Sequence, residues 1–195
     1  KSVWMVRPLP HDIDRLDVFL EEELVAVGYP TGQSFEDCSY NDLRSILKSK
    51  GWQEGLRNVN LLVRSMNVGD LVLVPSVDKK YVYFAEVTSD YIYDESVDTS
   101  DLGYPHQRKV KWLLDKEPLL RADFPEELLG SLRYPGATAD FTKHSAIIEQ
   151  LINGEVVEQV SGIEEKALKV IEDLLESKNE EIRLMAAQTI LSLKK

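Results

Sequence analysis

Residues 66–94, MNVGDLVLVPSVDKKYVYFAEVTSDYIYD, form the centre around which the other predicted elements are arranged. Residues 71–74 are a short apolar run with turn residues on both sides, which is typical of a strand buried on both faces. Pro75 ends this strand, and the polar residues 76–80 turn the chain. Residues 81–88 are β-branched and aromatic, a composition that favours a strand over a helix. The stretch is therefore predicted to be a β-hairpin.

Three further strands and several helices are predicted around this hairpin. The additional strands are predicted at residues 3–6, 24–27 and 108–114, the last because apolar and basic residues alternate as in a half-buried strand. Apolar residues at helical spacing predict helices over residues 13–23, 40–50 and 52–65. Five strands with interspersed helices indicate an α+β fold, built as a small, mostly antiparallel barrel with flanking helices.

The C-terminal part of the chain has a different pattern. A short helix is predicted after Pro125, and from Asp140 almost to the end the apolar residues follow helical spacing, with a break at Gly154. The sequence therefore predicts two domains, a barrel domain over residues 1–135 and a helical tail over residues 140–195.

Composition restricts the function classes. The net charge is −11, and acidic residues outnumber basic ones on both sides of Pro118, so any contact with nucleic acid must be local. Cys38 is the only cysteine, which excludes an internal disulfide and favours a reducing, cytoplasmic setting. No apolar run reaches the roughly 20 residues that a membrane helix needs, and no signal peptide is indicated.

The sequence contains no strong catalytic signature. It has no Gly-rich phosphate loop, no Gly-x-Ser-x-Gly elbow, no His-Glu-x-x-His helix and no cysteine pair for zinc. Asp37 precedes Cys38, and its negative charge disfavours a reactive thiolate. A protein without enzymatic activity, cofactor or metal is therefore expected.

Several motifs resemble a known family. The most specific are Val68-Gly69-Asp70, Asp90-Tyr91-x-Tyr93-Asp94 and Tyr104-Pro105-His106-x-Arg108-x-Val110-x-Trp112. Together with the order of the strands, they resemble the N-terminal reader module of Mrr-type restriction systems, in the PUA-like group that includes EVE and YTH domains. The resemblance covers about residues 3–135. The segment Trp52-x-x-Gly55-x-Arg57-Asn58 is similar to the one that precedes the Gly-Asp strand in EVE domains.

This resemblance implies a reader that holds a modified base, flipped or single-stranded, in an aromatic-lined pocket. Such a pocket must offset the several kcal/mol lost when a base leaves its stack. The aromatic candidates are Trp4, Tyr29, Tyr91 and Tyr93, the polar candidates for the base edges are Asn58 and Asp90, and the candidate phosphate contacts are Arg7, Arg57, Arg108 and Lys109. A Trp within a strand pattern is more often part of the core, which is the competing interpretation for Trp4.

The chain departs from the usual restriction arrangement, because helices take the place of a nuclease domain after residue 135. The last two helices, over residues 163–195, resemble one HEAT-type repeat, which cannot bury both of its faces alone. Two functions stay open. One is a non-catalytic reader of modified DNA or a nucleotide in a restriction or anti-phage defence context. The other is a protein-interaction or scaffold module that uses the barrel and the C-terminal helices as partner surfaces.

Overall fold

The structure, a computed structural model, describes residues 1–155 and 162–193. The chain forms two compact units, Lys1–Val157 and Glu158–Lys195. The first unit combines a curled, half-barrel sheet with helices, which confirms the predicted α+β class. The predicted boundary at residues 135–140 falls inside this unit. Residues 156–161 and 194–195 of the predicted helical tail lie outside the described residues.

The sheet contains eight strands among the described residues. They are β1 (Val3–Val6), β2 (Leu24–Val27), β3 (Leu71–Pro75), β4 (Tyr81–Val87), β5 (Ile92–Tyr93), β6 (His106–Trp112), β7 (Leu119–Leu120) and β8 (Thr138–Asp140). The order is β2-β6-β4-β3-β1-β8, with β5 paired to β6 and β7 paired to β4. β1 and β3 run parallel, and the other pairs are antiparallel. The five predicted strands are confirmed, while β5, β7 and β8 are additional.

Seven α-helices lie in the described part of the chain. They are α1 (Leu16–Glu22), α2 (Tyr40–Ser49), α3 (Leu56–Asn60), α4 (Glu126–Leu132), α5 (Ser145–Ile152), α6 (Gly162–Leu175) and α7 (Glu180–Leu193). Ser39 caps α2 in a reciprocal box, in which its Oγ accepts from the Asp42 backbone N–H and its own N–H donates to the Asp42 carboxylate. The helix predicted over residues 52–65 is interrupted, because α3 is preceded by a tight turn at 53–55 and continues as a π-helical turn over Leu61–Ser65.

The hairpin formed by β3 and β4 is central, as the sequence predicts, and all five residues of β3 are buried. Alternate residues of β1 and β3 enter two cores on opposite faces of the sheet. Phe124, Leu128 and Ile148 cover one of these faces, so α4 and α5 belong to the first unit. β8 pairs with β1, which also places residues 138–140 in the same sheet.

Asp70 explains the Gly-Asp signature at the start of β3. Gly69 has a φ of 91°, which favours glycine, and it turns the chain so that the Asp70 carboxylate faces β1. That carboxylate accepts hydrogen bonds from Trp4 Nε1 at 2.8 Å, the Ser2 backbone N–H at 3.0 Å and the Asn67 backbone N–H at 2.9 Å. Asp70 therefore joins the two parallel strands at one end.

The second unit consists of α6 and α7, which pack on each other as a helical hairpin. Asn179 caps α7, since its Oδ1 accepts from the Glu181 backbone N–H at 2.9 Å. The hairpin predicted for this region is confirmed within the described residues, and its resemblance to a HEAT repeat stays a prediction. No helix in the described ranges combines the length and apolar character that a membrane span requires.

Candidate functional site

A cavity of about 310 Å³ opens where β1 and β2 end. Arg7 follows β1, and Tyr29 follows β2, so both reach the cavity from the same edge of the sheet. His11 and Trp52 reach it from the loop after β1 and the turn before α3, and Ala137 reaches it from the residue before β8. This volume lies at the lower end of the range of about 300–1,000 Å³ that is usual for small-molecule sites.

Aromatic rings form the walls of this cavity. The rings of Tyr29 and Trp52 have centroids 6.1 Å apart and planes at 67°. His11 and Trp52 are also 6.1 Å apart, at 83°. All three residues line the cavity and are half-buried. Edge-to-face pairs of this kind are favourable arrangements of aromatic quadrupoles, and they define a fixed aromatic corner.

Tyr29 is held by hydrogen bonds at its side-chain hydroxyl and at its backbone carbonyl. Its hydroxyl accepts from Asn58 Nδ2 at 3.0 Å, and Asn58 Oδ1 accepts from the buried Thr138 hydroxyl at 2.9 Å. Its backbone carbonyl lies 3.1 Å from His106 Nε2. Burial raises the pKa of Tyr29, and the hydrogen bond from Asn58 offsets this only in part, so the hydroxyl is neutral at physiological pH. Tyr29 is therefore a positioned, uncharged wall.

Two glycines permit close approaches at this corner, Gly55 to the Tyr29 ring and Gly28 to the His11 backbone. A Cβ on Gly55 would lie 2.2 Å from Cε1 of Tyr29, inside the ring's van der Waals envelope. A Cβ on Gly28 would lie 2.6 Å from the backbone nitrogen of His11. The aromatic corner therefore requires a bare backbone at both positions.

Three residues that line the cavity have left-handed backbone conformations. The φ values are 53° for His11, 60° for Asp12 and 68° for Tyr29, and none of the three is glycine. Each such residue costs on the order of 1–2 kcal/mol, and strain of this kind is concentrated at functional sites. A second group of three such residues, Leu114 to Lys116, lies outside the cavity, so this conformation accompanies the cavity but does not by itself identify it.

Only some of the predicted base-binding residues lie at the aromatic cavity. Tyr29 lines the cavity, and Asn58 supports it from behind. Trp4 does not reach the cavity, because it is 8 % exposed in the core and its Nε1 donates to Asp70. Asp90 is exposed on the surface, 3.9 Å from Arg108 Nη1 and away from the aromatic corner. Trp4 is thus a core residue, and neither Trp4 nor Asp90 lines the aromatic cavity. Asp90 lines a separate cavity, where its role in base binding stays a prediction.

Tyr91 and Tyr93 belong to a separate aromatic cluster around the buried His106. The His106 ring stacks on Phe35 with centroids 4.0 Å apart, and the Tyr93 hydroxyl donates to Asp98 at 2.6 Å. The Tyr91 hydroxyl lies 2.7 Å from His106 Nδ1. Tyr91 and Tyr93 are half-buried, and neither lines the aromatic cavity. Tyr91 lines a separate cavity of about 170 Å³ together with Asp90 and Arg108.

A directed chain of hydrogen bonds runs through this cluster to the cavity. The Tyr29 carbonyl can only accept, so His106 Nε2 donates to it and His106 Nδ1 accepts from the Tyr91 hydroxyl. The Phe35 backbone N–H then donates to the Tyr91 oxygen at 3.1 Å. Burial lowers the pKa of His106 to about 4, which keeps the ring neutral, and burial raises the pKa of Tyr91 to about 12. Tyr91 therefore acts on the cavity indirectly, by supporting the backbone of Tyr29.

The predicted phosphate contacts also separate into different roles. Arg108 is 4 % exposed, and its guanidinium donates to the carbonyls of Leu62 and Val63 at 2.9 Å each, so it caps the π-helical turn and does not line the aromatic cavity. Lys109 Nζ donates to a backbone carbonyl at the end of α1. Arg57 is exposed, with its guanidinium carbon 5.7 Å from the centre of the Tyr134 ring. Arg7 is the one of the four that lines the cavity.

Sequence reasoning missed the cavity residues His11, Asp12, Trp52 and Glu54. Trp52 stands in a motif that was noted only for its resemblance to EVE domains, and its position beside Gly55 is the signal that identifies it as a wall residue. His11 follows Pro10 in a loop without periodicity, so no pattern indicates its role.

Ser131, His144 and Glu127 have the residue types of a hydrolase triad, but the acid of the group, Glu127, has a side chain that is 65 % exposed. Ser131 Oγ lies 2.7 Å from His144 Nε2. Glu127 Oε1 is 3.3 Å from Nδ1, which is nevertheless not aligned for a hydrogen bond. His144 is 1 % exposed, and the contact joins α4 to the turn before α5. This arrangement fits a packing role.

The curled sheet and the cavity at the ends of β1 and β2 define a small α+β domain with an aromatic-lined cavity. Within that class, the chain belongs to the family described as Domain of unknown function (DUF8426), whose model matches residues 11–127. The matched segment contains His11, Tyr29 and Trp52, whereas Arg7 precedes it and Thr138 follows it. No curated protein matches the chain.

Proposed function

We propose that the first unit is a non-catalytic nucleic-acid reader that holds one unpaired or flipped base in the aromatic cavity. The observation that carries this proposal is the fixed corner formed by Tyr29 and Trp52, whose rings bound a cavity of about 310 Å³. Stacking on aromatic side chains contributes about 1–3 kcal/mol per base, which is the scale of the cost of extracting a base. A preformed corner adds no ordering cost when the base enters.

The charges around the cavity support recognition of a base edge. Asp12 and Glu54 line the cavity, and carboxylates accept hydrogen bonds from the exocyclic amino groups of cytosine and adenine. The same carboxylates repel phosphate, so the cavity suits a base better than a sugar-phosphate group. The guest is therefore an amino-bearing base.

The resemblance to reader modules of restriction systems supports modified DNA as the partner and defence as the context. The single cysteine, Cys38, supports a reducing, cytoplasmic location. Because the net charge of −11 opposes general phosphate binding, specificity for a modified base must come from the cavity.

Tryptophan fluorescence tests this proposal directly. Trp4 and Trp112 are 8 % and 6 % exposed, while Trp52 is half-buried at the cavity, so quenching by a stacked base reports on Trp52. Short single-stranded oligonucleotides that contain cytosine, 5-methylcytosine, adenine or N6-methyladenine are titrated at low and moderate salt. We expect saturable quenching by at least one of them, and loss of this signal in Trp52→Phe.

Variants separate the cavity from general surface effects. Tyr29→Ala should weaken binding by about 10- to 100-fold, because one stacking wall is removed. Tyr40→Ala is the matched control, since Tyr40 is exposed at the start of α2 and lies outside the cavity. Equal affinity of the wild type and Tyr29→Ala for every oligonucleotide would contradict the proposal.

A protein-interaction module is the second candidate function. The supporting observation is the apolar surface of α7, where Leu184, Met185 and Leu191 are 59 %, 66 % and 67 % exposed. Large exposed apolar side chains in a group are typical of contact surfaces. Absence of oligonucleotide binding, together with concentration-dependent association that Met185→Glu abolishes in sedimentation experiments, would favour this function.

A further inference from the structure

A second cavity, of about 380 Å³, adjoins the aromatic one. Arg7 and Leu9 line both cavities. The second cavity is also lined by Lys79, Arg121 and Arg133, so four of its lining residues are basic. This concentration of positive charge occurs in a protein whose net charge is −11. The sequence gives no run of basic residues at these positions, and only the fold assembles them.

Separate elements bring the four basic residues together. Arg7 follows β1, and its guanidinium donates to backbone carbonyls in and after the last turn of α4. Arg121 follows β7, and its backbone N–H donates to the Lys80 carbonyl at 2.9 Å, which places it against the β3–β4 turn. Lys79 lies in that turn, and Arg133 ends α4. The cluster is therefore anchored to the sheet on one side and to α4 on the other.

The electrostatics of this cluster are unfavourable without a ligand. Burial and then the charge of Arg121 lower the pKa of Arg7, and burial and then the charge of Arg133 lower the pKa of Arg121. Arg133 is partly neutralised, because its Nη2 lies 2.8 Å from Glu126 Oε1. Arg121 Nη1 is occluded from solvent and has no hydrogen-bond partner among the described residues. A buried donor without a partner destabilises a fold, and an anion in the cavity would supply the missing acceptor.

We propose that this basic cavity binds a backbone phosphate of the strand whose base occupies the aromatic cavity. The inference rests on the proposed function and narrows the ligand to a nucleotide within a strand, as opposed to a free base or nucleoside. Guanidinium groups suit phosphate because their planar N–H donors match its oxygens. Asp12 and Glu54 repel phosphate from the aromatic cavity. The base therefore binds in the aromatic cavity and the phosphate in the neighbouring basic cavity.

The experiment compares the oligonucleotide that binds tightest with the matching free nucleoside, in the full chain and with Trp52 fluorescence as the signal. Arg121→Gln and Lys79→Gln remove one charge each from the basic cavity, and Lys79 is exposed, so its replacement does not disturb the core. Lys111→Gln is the charge-matched control, because Lys111 is exposed on β6 and lines neither cavity.

We expect the oligonucleotide to bind at least about tenfold more tightly than the nucleoside. Arg121→Gln and Lys79→Gln should each reduce most of this advantage, leave nucleoside affinity unchanged, and lower the slope of log affinity against log salt by about 0.7. The Lys111→Gln control should retain the advantage and the slope.

The outcomes distinguish the two proposals. If both cavity variants behave like Lys111→Gln while Tyr29→Ala still weakens nucleoside binding, the phosphate site is wrong and the base pocket stands. If inorganic phosphate binds in an Arg121-dependent manner, measured by calorimetry, but no nucleoside or oligonucleotide binds, the assignment to nucleic acid and the proposed function are both overturned.

Discussion

Replacing Gly55 with alanine tests whether the position of the Tyr29 ring depends on the absence of a side chain at residue 55. The new Cβ would lie 2.2 Å from Tyr29 Cε1 and 2.6 Å from its hydroxyl oxygen, so the ring must move by more than about 1 Å. Such a shift breaks the 3.0 Å hydrogen bond from Asn58. Overpacking costs about 1–3 kcal/mol and the lost hydrogen bond about 1 kcal/mol.

The stabilisation that a Gly→Ala replacement can bring is smaller than these two costs. Gly55 has a φ of −79° and a ψ of −8°, which alanine adopts readily, and Gly→Ala at such a position ordinarily stabilises by about 0.4–1 kcal/mol. We therefore expect a net loss of about 1–3 kcal/mol from the free energy of unfolding. Gly130→Ala is the matched control, because a Cβ at Gly130 meets nothing within 4 Å, and within α4 it should stabilise by about 0.5–1 kcal/mol.

Urea unfolding followed by tryptophan fluorescence measures this effect on the first unit alone, since all three tryptophans lie in it. The decisive comparison repeats Gly55→Ala in a Tyr29→Ala background, where the obstructing ring is absent. The destabilisation should disappear there, which gives a coupling energy of about 1–3 kcal/mol. An equal loss in both backgrounds, or stabilisation by Gly55→Ala alone, would refute the reasoning.

Three further predictions concern the supports of the cavity. His106 is neutral in the folded protein with a pKa of about 4, against about 6.5 in the unfolded chain. Its contribution to the free energy of unfolding is therefore complete above about pH 6.5 and decreases by up to about 3 kcal/mol as the pH drops to 4. In urea unfolding across this range, the free energy of unfolding of His106→Gln should decrease less steeply than that of the wild type. Arg108→Ala leaves two helical carbonyls without donors and should lower the free energy of unfolding by about 2–4 kcal/mol, while the exposed Arg57→Ala changes it by less than about 0.5 kcal/mol. Asp12→Gly relieves a left-handed residue and should raise the thermal midpoint through a gain of about 1 kcal/mol, while weakening oligonucleotide binding.

Each of these predictions has a clear contrary result. A pH dependence that is identical in the wild type and His106→Gln would assign the acid sensitivity to other groups. Equal changes in the free energy of unfolding for Arg108→Ala and Arg57→Ala would mean that the capping contacts do not stabilise the fold. A lower thermal midpoint in Asp12→Gly would show that the Asp12 conformation is not strained.

The elements that sequence predicted correctly are those with a strong local signal. The β3–β4 hairpin follows from an apolar run, a polar turn and a β-branched run, and β1, β2 and β6 follow from similar patterns. β5 and β7 contain two residues each and β8 contains three, which is too short for a period to be visible. Their pairing depends on the strands already in place.

The candidate site was less predictable, because residue type alone does not determine burial. Trp4 has the ring of a base-binding residue, but the carboxylate of Asp70, introduced by the turn at Gly69, holds it in the core. Arg108 has the charge of a phosphate contact, but it sits beneath free helical carbonyls. Arg121 and Lys79 are distant in sequence from Arg7, so only the tertiary fold reveals their common cavity.

The position of β1 has a consequence for how the protein is made. This strand lies between β3 and β8, which come from the middle and the far end of the unit. During synthesis, the apolar β1 emerges first but has no neighbour until β3 appears, and one side stays open until β8 is complete. Truncation before residue 138 would therefore leave one edge of β1 unpaired. We expect ribosome-bound or shortened chains to aggregate or recruit chaperones through this edge.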